Sequence, residues 1–433
     1  MLLYSTADRS WKKPLSHCVM EAMAPGKGLY MPETIPALDR KFWESYRQLS
    51  FPELCFELAC HWLNNAVETN ALKRITETAF DFPVVLQEVS NGIYSLELWH
   101  GPSLAFKDFG ARFMAGLMSY FNEKNDRPLT ILVATSGDTG GAVASGFLGV
   151  PGIEVIILYP SGKVSELQEK QLTTLGQNIT ACEVNGSFDD CQALVKEAFL
   201  DADLTHKYRL SSANSINIAR LIPQSFYYFE ACRQWQGDGK WVCSVPSGNF
   251  GNLTAGLMAK KMGLPIHHYI AATNQNHVVP DYLETGFFEP KPSVATISNA
   301  MDVGNPSNFV RLTELYHNDV NAIRADLSGY WASDTETKAE MKRVYDTSAY
   351  IMDPHGAIGH LALRRYLETH GGSGFFLETA HPSKFIDTVE EAIGRKPDVP
   401  ERLQVLMEKT KEAHWMNAGY AEFKSFLLSR NPK

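Results

Sequence analysis

Between residues 130 and 273 the chain alternates short, uninterrupted apolar runs with amphipathic stretches. Residues 130–135 form one such run, closed by a glycine-rich turn, and a helix is predicted over 142–148. A second buried strand is predicted over 153–159, then a helix over 165–175 and a third strand over 180–184. Cys191, Leu194, Val195, Ala198 and Phe199 recur at i, i+3, i+4, i+7 and i+8, the spacing of one helical face. Runs at 241–245 and 266–273 flank a helix predicted over 253–262, and a last strand at 374–380 leads into a helix from about Pro382. Strands that are apolar throughout are buried on both faces. Each being followed by a helix, they imply an α/β fold with a mostly parallel sheet covered on both sides.

The flanks read differently. In residues 1–94, Trp11, Trp43, Phe51, Leu54, Phe56 and Leu58 supply apolar stripes, while Pro32 and Pro36 separate short elements. A helical-leaning N-terminal module is expected there. Residues 95–390 form the α/β core, within which 285–350, proline-rich and then charged, are expected to be a helical excursion. Residues 391–433 are expected to be a C-terminal helical segment. A length of 433 residues suits two or three domains.

Composition narrows the function classes. With 44% hydrophobic and 21% charged residues the chain is an ordinary globular protein, and a net charge of −9 argues against nucleic acid or an acidic membrane as partner. Seven scattered cysteines with no Cys-x-x-Cys pair fit reduced thiols in a cytoplasmic protein. Residues 1–13 lack the apolar core of a signal peptide, and no stretch approaches the ~18 apolar residues of a membrane span. Thirteen histidines include no His-Glu-x-x-His, so no metal site is expected.

Lys107 lies between Phe106 and Phe109, after a Gly101-Pro102 bend. A lysine desolvated among aromatic rings loses proton affinity, and a neutral amine can form a Schiff base with an aldehyde cofactor. The same neighbours also suit a lysine whose stem covers aromatic surface while its head reaches water. Three loops at predicted strand ends carry further chemistry, since ligands of parallel α/β sheets collect there. Thr135, Ser136, Gly137, Asp138 and Thr139 combine hydroxyls, glycine and a helix start, which suits a carboxylate or phosphate. Gly248, Asn249, Phe250, Gly251 and Asn252 tolerate positive φ, so consecutive N–H groups can curl around an anion. Asn214, Ser215 and Arg220 offer neutral donors and a planar fork for a phosphate. Thr379 ends the last strand, where a hydroxyl can hydrogen-bond a ring nitrogen. His381 reads either as a general base or as a loop-bonding residue. Each loop alone is also accounted for by ordinary turn and capping chemistry.

Taken together, residues 100–110 around Lys107, Ser136-Gly137-Asp138-Thr139-Gly140, Gly248-Asn249-Phe250-Gly251-Asn252 and Thr379-Ala380-His381-Pro382 resemble the threonine synthase family in order and spacing. These are fold-type II enzymes dependent on pyridoxal 5′-phosphate, similar to the tryptophan synthase β chain. Gly28-Leu29-Tyr30-Met31-Pro32 resembles the family's N-terminal module, and the longer bacterial and fungal type fits best. The resemblance implies two open, twisted α/β lobes with the active site between them. It implies Lys107 as the Schiff-base lysine, residues 248–252 as the cup for the cofactor phosphate, and Thr379 as partner of the pyridine nitrogen. It implies Thr135, Ser136 and Thr139 as the cradle of a substrate carboxylate, and Asn214, Ser215 and Arg220 as ligands of a substrate phosphate. Asp138 replaces the Asn of the shorter type, which leaves its contact open between the cofactor O3′ and the substrate. The implied reaction is that of a carbon–oxygen lyase acting on a phosphate, turning O-phospho-L-homoserine and water into L-threonine and phosphate. Monomer and homodimer both remain open.

Two other readings use the same residues. A threonine or serine dehydratase, or a cysteine synthase, would share Lys107 and the glycine-rich cup but has no use for a second phosphate site. A catalytically silent paralogue would bind the cofactor or an amino acid as a sensor, and an intact lysine, cup and carboxylate loop argue against it.

Overall fold

The computed structural model describes residues 1–430 and contains three sheets. The largest has six strands in the order Leu327–Trp331, His268–Thr273, Trp241–Pro246, Ser373–Glu378, Ile93–Glu97 and Val85–Ser90. Its first five strands are parallel, and Val85–Ser90 closes the edge as the antiparallel arm of a hairpin. The second sheet has five parallel strands: His414–Asn417, Ile179–Asn185, Ile153–Pro160, Leu129–Ala134 and Arg209–Ser212. Every residue of Leu129–Ala134, Ile153–Pro160, Trp241–Pro246 and His268–Thr273 is buried, as uninterrupted apolar runs require. The fold is the expected one, two mostly parallel α/β lobes with helices on their faces.

The N-terminal residues hold helices such as Phe51–Leu63 and Thr69–Ala79, and also a small antiparallel sheet of Leu2–Ser5, Lys12–Pro14 and Tyr30–Pro32. The hairpin 85–97 belongs to the six-stranded sheet, so a boundary at residue 94 falls inside the strand Ile93–Glu97. The expected helical excursion contributes the edge strand Leu327–Trp331 between its helices. Its burial alternates, being half exposed at an edge, so it lacks the apolar run that marks the central strands. The C-terminal segment likewise adds the strand His414–Asn417 beside the helices Glu401–Met407 and Tyr420–Ser429. Asn431–Lys433 lie outside the described residues.

Capping chemistry sets several helix starts. Ser50 with Glu53, Ser165 with Gln168, Ser187 with Asp190 and Ser333 with Glu336 all form capping boxes. Glu154, buried within a central strand, is paired with Arg430, whose guanidinium also reaches Thr180 Oγ1 at 3.0 Å. A lone buried carboxylate there would be costly, so this pair ties the end of the chain to the second lobe.

Candidate active site

Lys107 opens the helix Lys107–Asn122, and the peptide before it is stitched to the end of the strand Ser373–Glu378. Phe106 N–H donates to the Thr379 carbonyl at 2.9 Å, and Ala105 forms a β-bridge with Ala380. Leu104, fully buried, sits at φ +56°, a left-handed conformation that costs about 1–3 kcal/mol for a non-glycine residue. That bend delivers Lys107 to its place. Its side chain is 16% exposed, enclosed for most of its surface but not sealed from solvent. Burial pulls the amine down to about 8; Asp138 opposes the shift, while Arg220 and Lys384 add to it. At neutral pH an appreciable fraction is therefore neutral and nucleophilic.

The loop 135–141 is organised by its own side chains. Thr135 Oγ1 accepts from the N–H groups of Gly137 at 3.0 Å and Gly140 at 2.8 Å, so this hydroxyl shapes the loop from within. Gly137 stands at φ +140°, a conformation that demands glycine. Ser136 is exposed and Thr139 half-buried, and their N–H groups, with that of Asp138, donate to no other described residue. Asp138 starts the helix Asp138–Phe147, with Oδ2 4.0 Å from Lys107 Nζ. Its Oδ1 meets Lys384 Nζ at 2.6 Å and Gln168 Nε2 at 2.9 Å. Burial favours protonation of Asp138, but Lys384, then Lys107, hold its carboxyl well below the usual range.

The loop 247–252 is held from outside. Asn252 Oδ1 accepts from Tyr227 at 2.5 Å and Tyr228 at 2.6 Å. Asn249 Oδ1 accepts from the Ser307 hydroxyl at 3.1 Å, and its carbonyl accepts from Asn308 N–H at 3.2 Å. Phe250 takes φ +60° immediately before the helix Gly251–Lys261. Among the described residues, the N–H groups of Gly248, Asn249, Phe250, Gly251 and Asn252 have no acceptor, and Asn252 Nδ2 is buried without a partner. A Cβ on Gly248 would stand 2.7 Å from the Ala300 carbonyl. Five free N–H groups in succession at a helix N-terminus have the chemistry of an anion cup.

The third set lies beside it: a Cβ on Gly251 would be 4.0 Å from Ser215 Cβ. Arg220 is buried and gives one N–H to the Ala213 carbonyl at 2.7 Å, while its Nε and the Asn214 Oδ1 are buried with no partner. Burial draws the Arg220 guanidinium down to about 10, still charged at neutral pH. Both atoms belong to one segment, since Arg220 bonds the Ala213 carbonyl next to Asn214, and each keeps its hydrogen-bonding capacity for a ligand. His381 is the loop-bonding residue: its Nδ1 lies 2.8 Å from Ser383 Oγ, and burial, with Arg402 and His100, pulls the ring down to about 4.

Several site residues carry no local signal in the sequence. Lys384 is one, although it lies three residues beyond His381. Arg311 is another, fully buried, with Nε donating to the Tyr30 carbonyl at 3.0 Å and NH2 to the Ile216 carbonyl at 2.7 Å. It fastens the N-terminal module to the loop bearing Asn214 and Ser215. Gln168, Asn308, Tyr227 and Tyr228 act similarly, and polar residues on apolar stretches are the only hint of them.

These residues fit pyridoxal 5′-phosphate. Its aldehyde would meet the desolvated amine of Lys107, its phosphate would suit the free N–H groups of 248–252, and its ring edge would suit Thr379, whose carbonyl accepts from Phe106 N–H beside Lys107. A family model described as "Pyridoxal-phosphate dependent enzyme" matches residues 79–374. "Threonine synthase N terminus" matches 3–80 and "Threonine synthase, C-terminal" matches 356–427. Threonine synthase of Serratia marcescens is 42% identical over 430 residues, covering 99% of both chains. The crystal structure of threonine synthase from Escherichia coli has a TM-score of 0.92 at 40% identity, covering 99% of this chain and 100% of that one. The pyridoxal-phosphate-bound threonine synthase of Brucella melitensis has a TM-score of 0.93 at 32% identity, covering 100% and 99%. With its central domain, both flanking domains and its full-length relatives all agreeing, the chain belongs to the threonine synthase family of pyridoxal-phosphate-dependent enzymes.

Proposed function

We propose that this enzyme converts O-phospho-L-homoserine and water into L-threonine and phosphate, the last step of threonine biosynthesis. The observation that carries the substrate choice is the second anion site. Beyond the cup of 248–252 and the carboxylate loop there is a third set, in which Arg220 Nε and Asn214 Oδ1 are buried without partners. A substrate with both a carboxylate and a phosphate uses the loop and this third set, while the cup serves the cofactor.

When bound, pyridoxal phosphate supplies an electron sink for carbanions next to the amino-bearing carbon. Lys107 Nζ anchors it and then takes and returns protons, a task suited to an amine held near 8. The free N–H groups of Ser136, Asp138 and Thr139 orient the substrate carboxylate, with Thr135 bracing the loop. Arg220, Asn214 and Ser215 hold the substrate phosphate and stabilise it as it leaves. Thr379 would offer a neutral hydroxyl to the ring nitrogen, and Asp138 would contact either the cofactor O3′ or the substrate.

We assign the enzyme to the cytoplasm, which suits seven free cysteines, as a monomer or homodimer. Among the described residues no helix is long and apolar enough to cross a membrane. Incubation with O-phospho-L-homoserine should release phosphate and threonine in equal amounts. Ammonia from threonine, with no phosphate from phosphohomoserine, would replace this reading with a dehydratase.

A further inference from the structure

Lys384 is a fully enclosed cation near the site. It belongs to the turn Pro382–Phe385, its side chain is 0% exposed, and Nζ has two partners: Asp138 Oδ1 at 2.6 Å and the Ser103 carbonyl at 2.9 Å. Burying an ammonium so completely is costly unless a carboxylate and further acceptors surround it. The carboxylate it uses is the one that faces Lys107 from 4.0 Å with its other oxygen. Gln168, fixed by its own capping box with Ser165, donates to the same Oδ1 and prevents the carboxylate from rotating.

One carboxylate therefore stands between two lysines, and the shorter contact belongs to Lys384. Coulomb attraction falls with separation, so Asp138 is engaged mainly by Lys384. Were Lys384 absent, Asp138 would be a single anion beside Lys107 and would favour the ammonium form. An ammonium cannot attack an aldehyde or accept a proton. The other charged groups around Lys107 are Arg220, which disfavours its proton, and Asp353, which favours it weakly. Asp108, on the same helix, accepts from Ser103 N–H at 2.9 Å, and burial raises its carboxyl to about 6.

We propose that Lys384 is a positioning residue that acts on Lys107 through Asp138, fixing and neutralising that carboxylate so that it orients the Lys107 amine without trapping it as an ammonium. This deepens the functional reading above and rests on Lys107 as the cofactor lysine.

The test is the proton held at Lys107 Nζ, read in the cofactor-loaded enzyme as the pH midpoint of its visible absorbance. Four proteins are compared: the parent, Lys384→Met, Asp138→Asn and the double variant. Lys384→Met should raise the midpoint by about one pH unit, a tenfold gain in proton affinity, because Asp138 is left facing Lys107 alone. Asp138→Asn should lower it by a similar amount, because the Lys384 ammonium is then unopposed. The double variant, neutral at both positions, should return close to the parent. The pH profile of kcat/KM should move in the same directions. A purely structural role for Lys384 would not produce opposite shifts that cancel. Should Lys384→Met fail to fold, the downward shift of Asp138→Asn and its reversal in the double variant decide the question. Midpoints that do not move, or single variants that move it the same way, overturn the inference. Borohydride fixation followed by peptide mass spectrometry separates the two claims: a pyridoxyl group on another lysine overturns the Lys107 assignment itself, whereas one on Lys107 with unmoved midpoints overturns only the role of Lys384.

Discussion

The loops 135–141 and 247–252 occupy equivalent places, each leaving the carboxyl end of a buried parallel strand and entering a helix. They are built by opposite means. In the first, the loop's own Thr135 hydroxyl ties the backbone, leaving Ser136 exposed and Thr139 half-buried. In the second, tyrosines and a distant serine grip the asparagine side chains, and the backbone itself is left to bind. A cofactor that stays needs a cup braced by the surrounding core. A substrate that comes and goes needs a cradle that is internally stable yet open to solvent. Lys107 follows the left-handed turn at Leu104 and stands 4.0 Å from Asp138 of the first loop.

The largest effect should come from the lysine itself. Lys107→Ala should lower turnover by at least about a thousandfold, anchor and proton carrier being lost together, while the thermal midpoint stays near the parent's. Retention of more than a few per cent of activity would remove Lys107 from the mechanism.

If the cup is a backbone device, adding side-chain bulk should break it. Gly248→Val would drive side-chain carbon into the Ala300 carbonyl and Met301 Cα, which lie 2.7 and 2.9 Å from the first carbon alone. Cofactor affinity should fall roughly a hundredfold, measured by equilibrium titration of absorbance. Unchanged affinity would place the phosphate elsewhere.

Arg220→Ala should instead spare the cofactor spectrum. Loss of a charge-assisted contact to a phosphate costs about 1.5–3 kcal/mol, or roughly a ten- to hundredfold drop in kcat/KM for phosphohomoserine. Unaltered kinetics would make Arg220 a structural residue bonded only to Ala213.

The pH dependence probes the centre. With the Lys107 amine held down to about 8, chiefly by burial, it is protonated below that pH and free above it. Uptake of pyridoxal phosphate by the cofactor-free chain should therefore quicken about tenfold per pH unit up to about 8 and level off beyond it. A plateau reached only near the ordinary lysine range would contradict the desolvation.

The smallest effect should come from Thr135→Val, which frees the Gly137 and Gly140 N–H groups from their acceptor. A loss of about 1 kcal/mol, roughly fivefold, should fall on KM with cofactor affinity unchanged. An equal loss in cofactor affinity would erase the distinction between the two loops.

The central strands and the two loops were legible because both are local. An apolar run such as 153–159 reports burial on both faces, and Gly137 and Gly248 report backbone shapes that side chains forbid. The edge strands Leu327–Trp331 and His414–Asn417 were not legible, because half-exposed edges carry no distinctive run. The family resemblance implies Thr135 in the carboxylate cradle, and in the structure its hydroxyl turns inward, since two neighbouring N–H groups in the same turn offer it partners.

By itself the sequence determined the α/β class, the order of the motifs, the family they resemble and the lysine at their centre, all properties of neighbouring residues. Only the tertiary structure decided which charges would meet. Lys384 finds Ser103 across 281 residues, and Arg311 finds Tyr30 across 281 more of a different span. Nothing beside either residue in the chain announces those partners. A buried cation must be paired, but which acceptor pairs it depends on how two lobes and an N-terminal module pack, and packing is a property of the whole core.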